Sequence, residues 1–323
     1  MLSPSSRPYS TLPGFTRCFA PGRLTLGLFY PIEAYQGDAP SMEGHAERAQ
    51  EAEAAGFASL FIRDVPLRDP SFGDLGQIFD PFVYLGYLAA RTSTIALGTG
   101  GIVVPLRNPL HVAKAATSVD RLSGGRLLLG VASGDRPVEF PAFGVDPERR
   151  GAILREHLAV MRTVQGSSFE PARWEGGALE GADLVPKPLA REVPLLVTGN
   201  SRQSVDWIAE HAHGWITYPR QLEHQELLIA TFRASVAASC GEAFKPFIQS
   251  LFIDLASDPD AAPQPIHLGY RLGRNQLLKL LELLQEIGVN QVILSLKYSA
   301  RPAQAVIEEL QRHVVPHFPA LAP

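Results

Sequence analysis

The sequence predicts an α/β fold, a (β/α)8 TIM barrel with an insertion before the fifth strand. Three observations predict it. Short, nearly continuous apolar runs alternate with helical segments eight times along the 323 residues, the rhythm of parallel strands buried on both faces. The segments between the runs carry helix-start and helix-stop residues at matching positions. No G-x-G-x-x-G and no P-loop follows the first strand, although a doubly wound nucleotide-binding sheet usually announces itself there.

In chain order the strands are LTLGLF (24–29), ASLFI (58–62), TIALGTGGIVV (94–104), RLLLGVA (126–132), VPLLVT (193–198), GWIT (214–217), FIQSLFIDL (247–255) and QVILSL (291–296). Asp80-Pro81, Asn108-Pro109 and Asp146-Pro147 each place a capping oxygen before a proline at the first helical position. Gly56, Gly124-Gly125, Gly166 and Gly288 stand where helical patterns end. Leu277, Leu280, Leu281 and Leu284 make one apolar helical stripe. Two connections are long, 65–80 after the second strand and 166–194 before the fifth, and long ordered loops on barrels often cover sites. Residues 1–22, rich in Ser, Pro and Arg, read as an N-terminal tail or surface strap. That leaves 23–323 as a single barrel domain, with 166–192 as its insertion segment. The third strand holds an anomaly. Gly98, Gly100 and Gly101 interrupt it, where glycine packs nothing and costs backbone entropy.

Composition excludes several classes. The net charge is −4 and no basic block is present, so neither nucleic acid nor an anionic membrane is expected as a partner. The N-terminus lacks the apolar region of a signal peptide, and no stretch approaches the ~20 apolar residues of a spanning helix. The two cysteines, Cys18 and Cys240, are far apart, which fits a reducing cytoplasm better than a disulfide scaffold.

In a barrel the active site forms at the carboxyl ends of the strands. That rule selects Tyr30, Arg63, Asp64, Gly100, Gly101, Ser133, Gly134, Asp135, Gly199, Asn200, Ser201, Tyr218, Arg220, Lys297 and Tyr298. TGNSRQS (198–204) opens a helix and suits a phosphate, and it reads equally as a helix cap. In VASGDRP (131–137), Ser133 and Gly134 allow close approach of a ligand and Arg136 suits a phosphate, or the segment is a plain polar turn. Arg126 starts its strand, on the opposite rim, and reads as structural. No His-x-His follows the first strand, HEXXH is absent, and so is a G-x-S-x-G elbow. Metal and Ser-His-Asp chemistry are therefore not expected. Lys297 at the end of the eighth strand, with Ser299 and Arg301 beside it, supports an alternative, a Schiff-base barrel lyase.

Several segments together then form a recognisable pattern. LGTGGIVVPLRNPLHVAKAATSVDRLSGGRLLLGVASGDRPVEFPAFGVDPERR and ADLVPKPLAREVPLLVTGNSRQSVDWIAEHAHGWI resemble the bacterial luciferase-like flavin-dependent oxidoreductases in the order and spacing of their motifs over roughly 24–218. The resemblance implies a monooxygenase that uses reduced FMN and dioxygen on a small organic substrate, with a flavin reductase as possible supplier. It implies cofactor contacts at Gly100, Gly101, Ser133, Gly134, Asp135, Arg150, Thr198, Gly199, Asn200, Ser201 and Ser204, and a cis peptide at Gly100–Gly101 beneath the ring. It also implies a homodimer through helices 81–91 and 109–122. One departure stands out. Luciferases proper carry an acidic-His-His run after the second strand and deazaflavin members often Asp-His, whereas this chain has Arg63-Asp64 in IRDVP, which resembles a subgroup with Arg-Asp-Val-Pro there. A catalytic histidine is therefore not expected, and FMN is preferred to a deazaflavin. Arg63, Asp64, Tyr218 and Arg220 are the catalytic candidates, with Tyr30 as a further orienting group. Asp64 reads as a base or substrate anchor, or as half of a rim ion pair with Arg63. The alternatives are a deazaflavin-dependent dehydrogenase or reductase and a non-catalytic flavin-binding protein.

Overall fold

Eight parallel strands close into a barrel in the computed structural model, which describes residues 2–322. They are β1 (Thr25–Phe29), β2 (Ser59–Ile62), β3 (Ala96–Thr99, continued by Ile102–Val103), β4 (Leu127–Ala132), β5 (Leu195–Thr198), β6 (Gly214–Thr217), β7 (Phe247–Leu255) and β8 (Gln291–Ser295). Each pairs with the next, and β8 returns to β1 with Thr25 opposite Gln291. The helices that follow them are α1 (His45–Ala54), α2 (Pro81–Arg91), α3 (Pro109–Leu122), α4 (Arg150–Gly166), α5 (Val205–His211), α6 (Leu222–Cys240), α7 (Arg274–Glu286) and α8 (Ala303–His313). All eight expected strands and the insertion are where the sequence puts them.

Alternation along the strands builds two layers. Leu26, Leu28, Leu60 and Ile62 pack in the layer beneath the helices. Phe29, Phe61, Leu128, Ile216 and Ile293 fill the interior. The Asp80 carboxylate accepts the amides of Phe82 and Val83 at 3.0 and 3.1 Å, and Asn108 accepts that of Leu110 at 2.9 Å. Asp146 differs: it caps a turn through the Glu148 amide, and α4 begins only at Arg150. Gly166 is also different, because it ends α4 without the left-handed backbone seen at Gly56, Gly124, Gly125 and Gly288.

Residues 1–22, expected as a tail or surface strap, include a packed stretch. A short helix, Pro13–Cys18, lies across the amino-terminal end of the barrel and buries Leu12, Phe15, Cys18 and Phe19. Phe15, Cys18 and Phe19 pack with the interior layer, so hydrophobic burial fixes a segment whose composition looks like a linker. Arg126 closes the same end, donating to the carbonyls of Ala89, Thr92, Ile95 and Ser123 at 2.9–3.0 Å. The insertion holds a small hairpin, Ala172–Trp174 with Gly177–Leu179. Its Lys187 is fully buried and donates to the carbonyls of Val164 and Ser167 and to Asp183. At the opposite rim β7 overruns the barrel, and Phe252–Leu255 pairs with a flap strand, Gly269–Leu272. No helix among the described residues is long and apolar enough to cross a membrane.

Candidate active site

The glycines of β3 form the floor of the site. The Gly100–Gly101 peptide is cis. A Cβ on Gly100 would stand 2.6 Å from the Phe29 ring, and one on Gly101 would stand 2.8 Å from both the Val131 nitrogen and the Thr198 hydroxyl. The backbone therefore comes closer to its neighbours here than a side chain allows. Above it opens a cavity of about 470 Å³, bordered by Phe29, Gly100, Thr198, Ile216, Ser250 and Phe252. A cleft of about 270 Å³ shares Gly100, Asp135, Arg136, Thr198 and Tyr218 with the cavity and runs on to Gly101, Ser133, Gly134, Gly199 and Ser201. The hydroxyls of Thr198 and Ser250 are buried without a hydrogen-bond partner. Two unmet hydroxyls beside a glycine floor fit a flat ring with polar edges.

The turn after β5 is shaped for an anion. Gly199, Ser201 and Arg202 have φ of 58°, 47° and 59°, and neighbouring left-handed residues turn successive amides toward one concave side. Ser201 Oγ donates to the Thr198 carbonyl at 2.7 Å and accepts the Ser133 amide at 3.3 Å, joining the β4 and β5 loops. Ser204 caps α5 through the Trp207 amide. Asn200, Ser204, Arg150 and Arg220 stand outside the lining of cavity and cleft. Arg150 lies 5.5 Å from the Phe140 ring, and Arg220 donates back to the Tyr218 carbonyl at 2.9 Å. Tyr30 is buried in the core, its hydroxyl on the His45 carbonyl.

Arg63 and Asp64 do not pair with each other. Asp64 turns outward and accepts from the Val103 amide at 3.0 Å and from Arg107 at 2.8 and 3.1 Å. It thereby pins the chain just beyond the cis peptide. Arg63 pairs with Asp74 of the 65–80 connection at 2.6 Å. Asp74 also accepts the Tyr35 hydroxyl at 2.7 Å and lies 3.1 Å from Lys297. Burial opposes charge on Asp74, but the Arg63 guanidinium and the Tyr35 hydroxyl hold its carboxyl well below the usual range. The connection thus lies across part of the barrel mouth, held by groups that follow β1, β2 and β8. Lys297 is committed to Asp74 and the Gly73 carbonyl, so its nitrogen is not offered to the cavity as a nucleophile. Among the described residues no three His, Cys, Asp or Glu side chains cluster as metal ligands would.

Sequence reasoning missed Asp74, Phe72 and Tyr35, because a clasp made by a loop leaves no periodic signal. It also passed over Ser250 and Ser295, although a polar residue inside an apolar strand run was visible in both.

A sequence model of the family described as luciferase-like monooxygenase matches residues 24–296. An uncharacterized protein of Mycobacterium tuberculosis is 31% identical over 241 residues, 69% of this chain and 83% of the relative. The crystal structure of a monooxygenase from Streptomyces bottropensis superposes with a TM-score of 0.77 at 17% identity, covering 91% of this chain and 99% of the other. An F420-dependent secondary alcohol dehydrogenase, solved with an F420-acetone adduct, does so with a TM-score of 0.76 at 18% identity, covering 92% and 99%. Both solved structures share the barrel fold.

Proposed function

The chain belongs to the luciferase-like monooxygenase family, and from that premise we propose that it is an FMN-dependent monooxygenase acting on a small organic substrate. The observation that carries the reading is the pair of unpartnered hydroxyls, Thr198 and Ser250, over a floor that only glycine can form. Thr198, Ser250 and the Gly100–Gly101 backbone would hold the ring, while the amides of 200–202 and Ser133, Gly134 and Ser201 would hold the phosphate. When bound, reduced FMN would supply the electrons that activate dioxygen.

The chain's own residues do the rest. The 65–80 connection, held by Asp74, excludes water from the cavity. Arg63 fixes that connection, and Tyr218, at the edge of cavity and cleft, orients the substrate. Asp64 acts as a positioning residue, holding Val103 and with it the floor. FMN is preferred to a deazaflavin because Arg63-Asp64 replaces the Asp-His of deazaflavin members. A flavin reductase supplies the reduced cofactor, the two free thiols fit a cytoplasmic setting, and the chain works as a homodimer through α2 and α3.

Anaerobic titration of the purified chain with reduced FMN and with reduced deazaflavin tests the proposal. Tight binding of FMN, followed by substrate-dependent dioxygen uptake, is the expected result. Preference for the deazaflavin would move the activity to a dehydrogenase. FMN binding with no turnover would make the chain a flavin carrier, and binding of neither would end the reading.

A further inference from the structure

Three cationic side chains meet beneath the 65–80 connection, and one carboxylate serves them. Arg63 and Lys297 both pair with Asp74, at 2.6 and 3.1 Å. Among the described residues Arg136 has no carboxylate within ion-pair distance. It is buried and lines both the cavity and the cleft. Its Nη2 donates to the backbone carbonyl of Asp74, its guanidinium lies 4.1 Å from the centre of the Phe72 ring, and its Nη1 is buried with no hydrogen bond. Asp135 is exposed and does not bond to it. Glu139 is buried nearby, and no ion pair joins it to Arg136. A buried guanidinium short of counter-charge is costly, and such an imbalance in a cleft marks a place where a ligand completes the charge.

We propose that the substrate is a small organic acid whose carboxylate is held by Arg136 and whose apolar body lies against Phe29, Ile216, Phe252 and Leu268. The planar guanidinium matches a carboxylate, and the four apolar residues border the same cavity. The inference rests on the oxidoreductase reading only in placing substrate and cofactor in one cavity. The cofactor's phosphate is the other possible source of an anion here. It is assigned to the 199–202 turn, whereas Arg136 is held against Phe72 and Asp74 of the connection across the barrel mouth.

Calorimetric titration of the full chain, with and without FMN, compares octanoate and phenylacetate with their primary amides. The acids are expected to bind about ten-fold tighter or better, the worth of one charge-assisted hydrogen bond. In Arg136→Met acid and amide become equal, in Arg136→Lys part of the preference returns, and FMN and riboflavin bind both variants as they bind the wild type. Acids no better than amides in the wild type overturn the proposal, whatever the folding of the variants. So does a preference that survives Arg136→Met. Weakened FMN with unchanged riboflavin in that variant gives Arg136 to the cofactor phosphate and overturns it as well. A chain that selects acids yet binds neither reduced FMN nor reduced deazaflavin keeps the acid site and loses the oxidoreductase reading.

Discussion

Glu139, in the connection after β4, is 1% exposed. Burial raises its carboxyl to about 7, Arg136 pulls it down and Asp64 pushes it up again. The unfolded chain releases this proton near the ordinary value of 4.5. Between 4.5 and about 7 the folded state therefore binds more protons, and stability falls as pH rises through that window. Glu139→Gln removes the titration. Relative to wild type it should gain about 1–2 kcal/mol between pH 5 and pH 8, read from urea midpoints at the two values. An equal difference at both would show that Glu139 ionises normally in the fold. The same scale shows what sequence can and cannot reveal about a site. Gly100, Gly101, Ser133, Gly134, Gly199 and Ser201 line the cleft at the strand ends where the barrel rule looks for a site, because strand ends and glycines report backbone geometry directly; Thr198 entered only through the resemblance. Asp64 was located but its partner was not. Its carboxylate pairs across 43 residues with Arg107, and no local pattern encodes that choice. The Asp74 clasp was hidden for the same reason, since Tyr35, Arg63 and Lys297 meet it from three separate strand ends.

At the scale of elements the strands were legible because both faces are buried, which forces continuous apolar runs. The connections were less so. The LVPKP stretch (184–188) carries no signal that its lysine is structural, yet Lys187 sits against the carbonyls of Val164 and Ser167 at the end of α4 and pairs with Asp183 at 2.6 Å. Three acceptors, one of them charged, satisfy a fully buried ammonium, and the last turn of a helix favours a cation. Lys187→Met leaves two buried carbonyls unmet, takes the cation from Asp183 and should cost about 3 kcal/mol. Asp183→Asn combined with it should add little, because the acid has then lost the partner that justified its charge. Thermal unfolding of the two single variants and the double variant reads the coupling. Strictly additive losses would show that Lys187 acts only by filling space.

At the scale of the molecule the amino-terminal end of the barrel is closed by Leu12–Phe19 and the mouth is partly covered by the 65–80 connection, while one flank presents a second opening. A groove of about 680 Å³ lies where α2 and α3 begin, bordered by Ile78, Phe79, Val83, Leu106 and Phe143. Val83 is 73% exposed, and Ile78, Phe79, Tyr87 and Phe143 are exposed around it. Monomers rarely leave such a contiguous apolar face to water, and a second copy covering it about a two-fold axis is the dimer proposed above. Asp64, Asp80 and Arg107 also border the groove, so the same contact would remove water from the ion pairs that hold Val103 beyond the cis peptide. A charge at Val83 would be buried in that contact without a partner, and an unpaired buried charge is strongly disfavoured. Val83→Glu should therefore sediment at the mass of one chain where the wild type sediments at twice that mass, and its FMN affinity should fall with its assembly. A wild-type protein that sediments as a single chain would remove the dimer from the proposal. A monomeric variant with unchanged FMN affinity would show that the floor of the site stands without its neighbour.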